Sequence, residues 1–197
     1  MQPAHRLFIL DENIKNNWFN VLCEMHGGSK HTKIYILNDK YAQQFKEFKD
    51  KKEAIMDSAF IITEYSKSGM AVEQANFYPN LNIYYELCII DKKLCDYIKA
   101  YRWRPEPQET GYWRNNKLKN NYKLHQYVVC DLAGIDYLKK GFDIHHSNFY
   151  TFDNRLDNLY IMTSRAHGKI DESHIILREE IRSDNDMLNF IKEIILK

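Results

Sequence analysis

Apolar and polar positions along the chain divide it into short elements. Leu7 to Leu10 reads as a strand, and Ile14 to Met25 as a helix that Asp11 can cap. Lys33 to Leu37 alternates as a strand does. Asp39 to Met56 is rich in helix formers and sets Tyr41, Phe45 and Phe48 on one face at spacings of four and three. Ala59 to Tyr65 is apolar and β-branched, which predicts another strand. Gly27-Gly28-Ser29 is a turn signal, and Asn76 to Asn80 reads as a connection.

From Asn82 the pattern changes. Ile83 to Ile90 predicts a strand, and Asp91 a cap for a helix over Lys92 to Tyr101. Pro105 and Pro107 interrupt regular structure. Gly111 to Arg114 and Tyr122 to His125 read as a hairpin across an Asn- and Lys-rich loop. Gln126 to Leu138 has helical spacing and ends at Lys139-Lys140-Gly141. Phe142 to His146 is then a strand, Ser147 to Asp157 a long loop, and Leu159 to Thr163 the returning strand. Ser164 caps a helix carrying His167, and the tail from Asp171 is largely helical. These elements predict an α+β protein in three parts. Residues 1–80 form an N-terminal α/β region, residues 81–170 a second domain, and residues 171–197 a C-terminal helical tail.

The 197 residues suffice for one medium domain or two small ones, and 44% hydrophobic with 28% charged content fits a soluble protein. No apolar run approaches the roughly 18 residues of a membrane span, and Leu7 to Leu10 is too short for a secretory signal. Both point to the cytosol. Cys23, Cys88, Cys95 and Cys130 are scattered with no C-x-x-C pair, which predicts buried thiols and argues against a zinc ribbon or disulfides.

A net charge of +1 conceals a gradient. Residues 1–80 hold ten basic and ten acidic side chains, residues 81–170 hold fourteen and ten, and the tail four and seven. The densest excess runs from Lys92 to Lys123, nine Lys or Arg against three acids, and includes Arg102, Arg104, Arg114, Lys117 and Lys119. Tyr101, Trp103, Tyr112, Trp113 and Tyr122 lie among them. Basic side chains interleaved with aromatics suit a phosphate backbone and exposed bases, so these residues are candidates for DNA binding.

The chemistry concentrates further on. His145 and His146 are adjacent, Asn158 follows twelve residues after the second, and His167 nine after that. Two strands, a loop and a helix can bring these side chains to one point. A His-bound divalent ion beside a free imidazole hydrolyses phosphodiesters: the ion neutralises charge on the phosphorane and leaving oxygen, and the imidazole takes a proton from water. Arg155 and Arg165 are candidates for holding the scissile phosphate, with surface ion pairs as the alternative. Asn154, between Asp153 and Arg155, reads as an element that orders the loop. His125 reads as structural. His5, His26, His31 and His174 have no companions and read as surface residues.

At these residues the chain resembles the HNH nuclease family, whose core is the ββα-metal fold. The likeness runs from Ile83 to about Lys169 and is most like the phage and intron-encoded HNH homing endonucleases. It is carried by Asp91 through Tyr101-Arg102-Trp103, by Leu124-His125-Gln126-Tyr127-Val128, by His145-His146, by Asp153-Asn154-Arg155 and by Asn158-Leu159, in that order. The resemblance implies that His145 and His167 hold one divalent ion, that His146 is the general base, and that Asn158 holds the His146 imidazole by acting through the hairpin. Neighbours on an ideal strand point to opposite faces, so both histidines reach the site only if the strand end bends. Many members have Asp as first ligand; a His–His pair leaves the metal open among Mg²⁺, the first expectation, Mn²⁺ and Ni²⁺.

The resemblance thus implies a metal-dependent DNA endonuclease or nickase of phage or mobile-element origin, working in the cytoplasm of a bacterial host. A restriction or defence nuclease is a second reading. A DNA- or protein-binding regulator with an idle core, such as a phage inhibitor of a host nuclease, is a third. Residues 1–80 would then supply specificity or bind a protein partner. The oligomeric state is left open.

Overall fold

A computed structural model describes residues 6–25, 32–66, 83–106, 111–118, 122–134, 141–170 and 177–197. The turn signal at Gly27-Gly28-Ser29, the connection at Asn76 to Asn80, Lys119, and His5, His26, His31 and His174 lie outside these residues. In chain order the elements are β1 (Arg6–Leu10), α1 (Glu12–Trp18), β2 (Phe19–Glu24), β3 (Thr32–Leu37), α2 (Asp39–Ala42), α3 (Lys52–Met56), β4 (Ser58–Ser66) and β5 (Ile83–Asp91). There follow α4 (Cys95–Ile98), β6 (Arg104–Pro105), β7 (Trp113–Arg114), α5 (Leu124–Tyr127), β8 (Phe142–His146), β9 (Leu159–Thr163), α6 (Ser164–His167), β10 (Leu177–Ile181) and α7 (Asp184–Ile194). The protein is α+β.

Six strands form one sheet in the order β10-β1-β5-β4-β3-β2. Neighbours are antiparallel except β1 and β10, which run parallel. The two central strands pair along their whole length, Ser58 with Asp91 through to Ser66 with Ile83. Their apolar runs lack polar alternation because both faces are covered. Phe60, Ile62, Leu87 and Ile89 face one core with Trp18, Phe45, Phe152 and Phe190, while Ala59, Ile61, Cys88 and Ile90 face another with Trp103, Trp113, Leu124 and Val128. Successive residues thus feed opposite cores, as the two-residue period of a strand requires.

Helix α7 closes the first core by burying Met187, Phe190, Ile191 and Ile194. It starts at Ser183, whose Oγ accepts the Asp186 N–H at 3.2 Å while the Asp186 carboxylate accepts the Ser183 N–H at 3.1 Å. This reciprocal cap satisfies two groups that a helix end leaves open.

Several elements differ from expectation. The helix after Asp11 stops at Trp18, and the chain continues as β2 to give β3 an edge partner. The stretch from Asp39 to Met56 is broken: a straight helix would carry Ile55 roughly 15 Å from Phe45, yet both lie in one core. The helix after Asp91 is short, and the Asp91 carboxylate accepts the Leu156 N–H at 2.8 Å without capping it. Trp113 and Arg114 pair with Pro105 and Arg104, and one bridge from Arg114 to Lys123 is what remains of the expected hairpin, because Leu124 and His125 open α5. A π-helical turn over Val128–Leu132 follows α5. Thr163, not Ser164, caps α6, its Oγ1 accepting the Ala166 N–H at 3.2 Å.

The division at residue 80 does not follow the sheet. Strand β5 lies between β1 and β4, and the tail returns as β10 beside β1. The described part of the tail therefore includes a strand built into the N-terminal sheet. Among the described residues no helix is long and apolar enough to cross a membrane.

Candidate functional site

Strands β8 and β9 form an antiparallel hairpin, with His145 opposite Tyr160 and His146 opposite Leu159. The short helix α6 follows directly, giving a strand–strand–helix unit. Ile144 buries the hairpin against Val129, with Leu159 and Ile161 packed alongside. The long loop between the strands is hooked onto the large sheet: Ile89 N–H donates to Phe152 O and Asn154 N–H to Ile89 O, both at 2.8 Å. Tyr150 and Phe152 enter the first core.

The register stays regular through His146, so the two histidines face different neighbours. His145 groups with His167, their ring centres 5.5 Å apart at 69°, and with Phe149 at 5.0 Å. Asp143 lies two residues before His145 on the same strand face, and its Oδ2 is 4.0 Å from His167 Nδ1. His146 groups with His125, centres 5.1 Å apart at 83°, and with Tyr112 at 5.9 Å. The ring contacts thus group His145 with His167 and His146 with His125 in two adjoining clusters.

Asn158 does bond across the hairpin, but to backbone. Its Oδ1 accepts the Asn148 N–H at 2.9 Å, its Nδ2 donates to Asp153 O at 2.8 Å, and its carbonyl accepts the Ser147 N–H at 2.8 Å. It therefore holds the backbone of the segment that follows His146. There the chain turns sharply, with Phe149 N–H donating to His146 O at 2.9 Å and Phe149 held at a φ of 64°. Left-handed backbone is unfavourable for a bulky residue and marks a constrained turn.

Arg155 is held in an ion pair with Asp153. It is buried, donates Nε to Asp153 Oδ1 at 2.9 Å and Nη2 to Asp153 Oδ2 at 2.7 Å, and also reaches Ile194 O at 3.1 Å. Burial opposes its charge, but the Asp153 hydrogen bonds together with the charges of Asp153, Asp157 and Asp91 raise its pKa. The neighbouring Asn154 donates to Cys88 Sγ at 3.1 Å, consistent with ordering the loop.

Of the other basic candidates, Arg102, Arg104, Lys117 and Arg165 are exposed and Arg114 is half-buried. Arg104 and Arg114 are direct cross-strand partners. Trp103 and Trp113 are buried in the second core, beneath the basic segment. Tyr112 carries the Lys123 ammonium 3.8 Å above its ring and links the basic segment to His146. Tyr112, His125 and Asp143 are the neighbours that sequence reasoning missed. For Asp143 the i, i+2 spacing from His145 was the available signal.

A cavity of about 540 Å³ opens between the Ser147–Asn158 loop and the C-terminus, lined among others by Asn148, Phe149, Asp157, Tyr160 and Lys197. Tyr160 is the cross-strand partner of His145, which places the cavity beside the His145 cluster. Among the described residues no three His, Cys, Asp or Glu side chains form a metal-holding group. All four cysteines are free thiols.

Comparison with protein-family models, with curated proteins and with solved structures returned no match.

Proposed function

We propose that the chain is a metal-dependent DNA endonuclease or nickase with an HNH-like core. The observation that carries this reading is the β8–β9–α6 unit, which brings His145 and His167 to 5.5 Å between ring centres with His146 next along the strand. Two imidazoles that approach from a strand and a helix can share one ion, and Asp143 adds an oxygen nearby. This donor set suits Mn²⁺ or Ni²⁺ at least as well as Mg²⁺, which prefers oxygen. When bound, the ion would polarise the phosphodiester and neutralise its developing charge.

The chain's own residues supply the rest. His146 accepts the proton of the attacking water. Asn158 holds the loop after His146, and the buried Arg155–Asp153 pair fixes that loop against α7. The basic segment supplies the DNA affinity. Arg104 and Arg114 face each other across β6 and β7, where like charges repel unless an anion lies over them. Exposed Arg102, Lys117 and Arg165 are further candidates to contact the phosphate backbone. Residues 1–80 contribute a protein partner or specificity, and a mobile-element enzyme in a bacterial cytoplasm fits the resemblance.

The burial of both histidines, His145 at 9% and His146 at 4% exposed, favours a second reading: a DNA- or protein-binding regulator with an idle core. Supercoiled plasmid incubated with Mg²⁺, Mn²⁺, Ni²⁺ or EDTA separates the two. Nicked or linear product that appears only with metal supports the nuclease. DNA binding without cleavage under every metal supports the regulator.

A further inference from the structure

Two aromatic side chains tie the cavity beside the Ser147–Asn158 loop to His145. Tyr160 lies opposite His145 in the hairpin register, and directly opposed side chains share one face of a sheet. Phe149 meets the His145 ring edge-on, 5.0 Å between centres, from a backbone held at a φ of 64°. Strain of this kind gathers where a ligand is clamped. Tyr160 is 54% exposed, although an aromatic ring gains by leaving water. The cavity volume of about 540 Å³ falls among small-ligand pockets, roughly 300–1,000 Å³.

The lining offers acceptors more than donors. Asn148 Nδ2 and Asn158 Nδ2 are spent on Asp153, each at 2.8 Å, and Arg155 is spent on Asp153 and Ile194 O. These bonds fix the wall before any ligand arrives. Asp157 is exposed, and Glu193 adds a second carboxylate, its Oε1 accepting from the Tyr150 hydroxyl at 2.7 Å. A ring to stack on, with a carboxylate to accept a hydrogen bond, fits a nucleobase that carries an exocyclic amino group.

We propose that the cavity is a nucleobase subsite: the base next to the phosphate held at His145 and His167 stacks on Tyr160 and donates its amino group to Asp157. The inference rests on the nuclease reading, which puts the scissile phosphate at that pair. Adenine, cytosine and guanine have such a group, and thymine does not. A base enters only from a single strand or after leaving its stack, so the subsite favours unpaired DNA at the cut. Lys197, the other cation of the lining, suits an adjoining phosphate.

The test is titration of the full chain, without metal, by millimolar deoxycytidine 5′-monophosphate, followed in NMR spectra of the tyrosine rings and backbone amides. The Tyr160 ring and the Ser147–Asn158 amides should shift. Tyr160→Ala should weaken binding about 10-fold, and Tyr160→Phe should bind as the parent does. Thymidine 5′-monophosphate should bind about 10-fold more weakly, and Asp157→Ala should erase that preference. Both side chains are exposed, so neither substitution removes a core contact. No shift at Tyr160, parental binding in Tyr160→Ala, or equal binding of the two nucleotides would overturn the proposal. Equal binding of ribose 5-phosphate, which has no base, would do the same and leave a phosphate site. Plasmid nicking reports the nuclease reading separately: a chain that nicks DNA while Tyr160 stays silent defeats the subsite alone, and a chain that never nicks defeats the nuclease reading.

Discussion

Arg155 grips Asp153 with two hydrogen bonds, 2.9 Å from Nε and 2.7 Å from Nη2, inside the loop that joins the two strands of the hairpin. Asp153 is fully buried and also accepts from Asn148 Nδ2 at 2.8 Å, while Arg155 ties the loop to α7 through Ile194 O. One ion pair therefore joins the turn after His146 to the C-terminal helix. Removing one partner of a buried pair strands the other charge, typically at a cost of about 3–5 kcal/mol. Arg155→Ala should lower stability by that amount in urea denaturation. A loss below about 1 kcal/mol would mean that solvent reaches the pair.

His146→Ala should abolish nicking while leaving metal and DNA binding nearly intact, because a base acts in the transition state and adds little to ground-state affinity. General bases contribute roughly 10²–10⁴-fold. Single-turnover cleavage under saturating metal measures the loss, and a parental rate would remove His146 from that role.

His145→Ala and His167→Ala should weaken metal binding, so part of their activity should return at high metal concentration. Calorimetric titration with Mn²⁺ reads this directly. Unchanged affinity in both variants would take the 5.5 Å ring pair out of the metal site. EDTA should stop the wild-type reaction completely.

Local pattern made the hairpin legible. Phe142 to His146 and Leu159 to Thr163 pair at the bounds their spacing predicts, because each is a short strand with its own turn and cap signals. The grouping of side chains was not legible. Whether His145 and His146 share a site depends on whether the strand end bends, and no residue type in the strand states that. His125 met His146 only through a long-range contact, and Arg155 looked like a phosphate ligand because its buried partner is an equally ordinary Asp. The helices over 14–25 and 39–56 were overestimated for a related reason. Propensity favours helix there, but pairing with β3 and the shared burial of Phe45 and Ile55 override it.

The basic segment should carry much of the DNA affinity. Neutralising Arg102, Arg104, Lys117 and Lys119 together should flatten the salt dependence of binding, since each lost phosphate contact removes roughly 0.9 from the log–log slope on duplex DNA. Fluorescence anisotropy over a salt series measures it. A slope identical to the parent would place DNA elsewhere on the surface.

Removing residues 1–80 should unfold what remains, although the motif that resembles a nuclease lies wholly beyond them. Strand β5 pairs with β4 along nine residues and with β1 at Ile9 and Leu10, so the cut exposes both of its edges. Its buried Leu87, Cys88, Ile89 and Ile90 would lose partners on both faces of the sheet. The hairpin loop hangs from the same strand through Ile89, and β10 would lose β1. Unpaired backbone and exposed apolar side chains are each costly, and here they coincide on the strand that anchors the site. Circular dichroism and urea denaturation of a fragment starting at Asn80 should therefore show no cooperative transition, with nicking lost as a consequence. A fragment that melts cooperatively and still nicks DNA would show that the core stands without the large sheet.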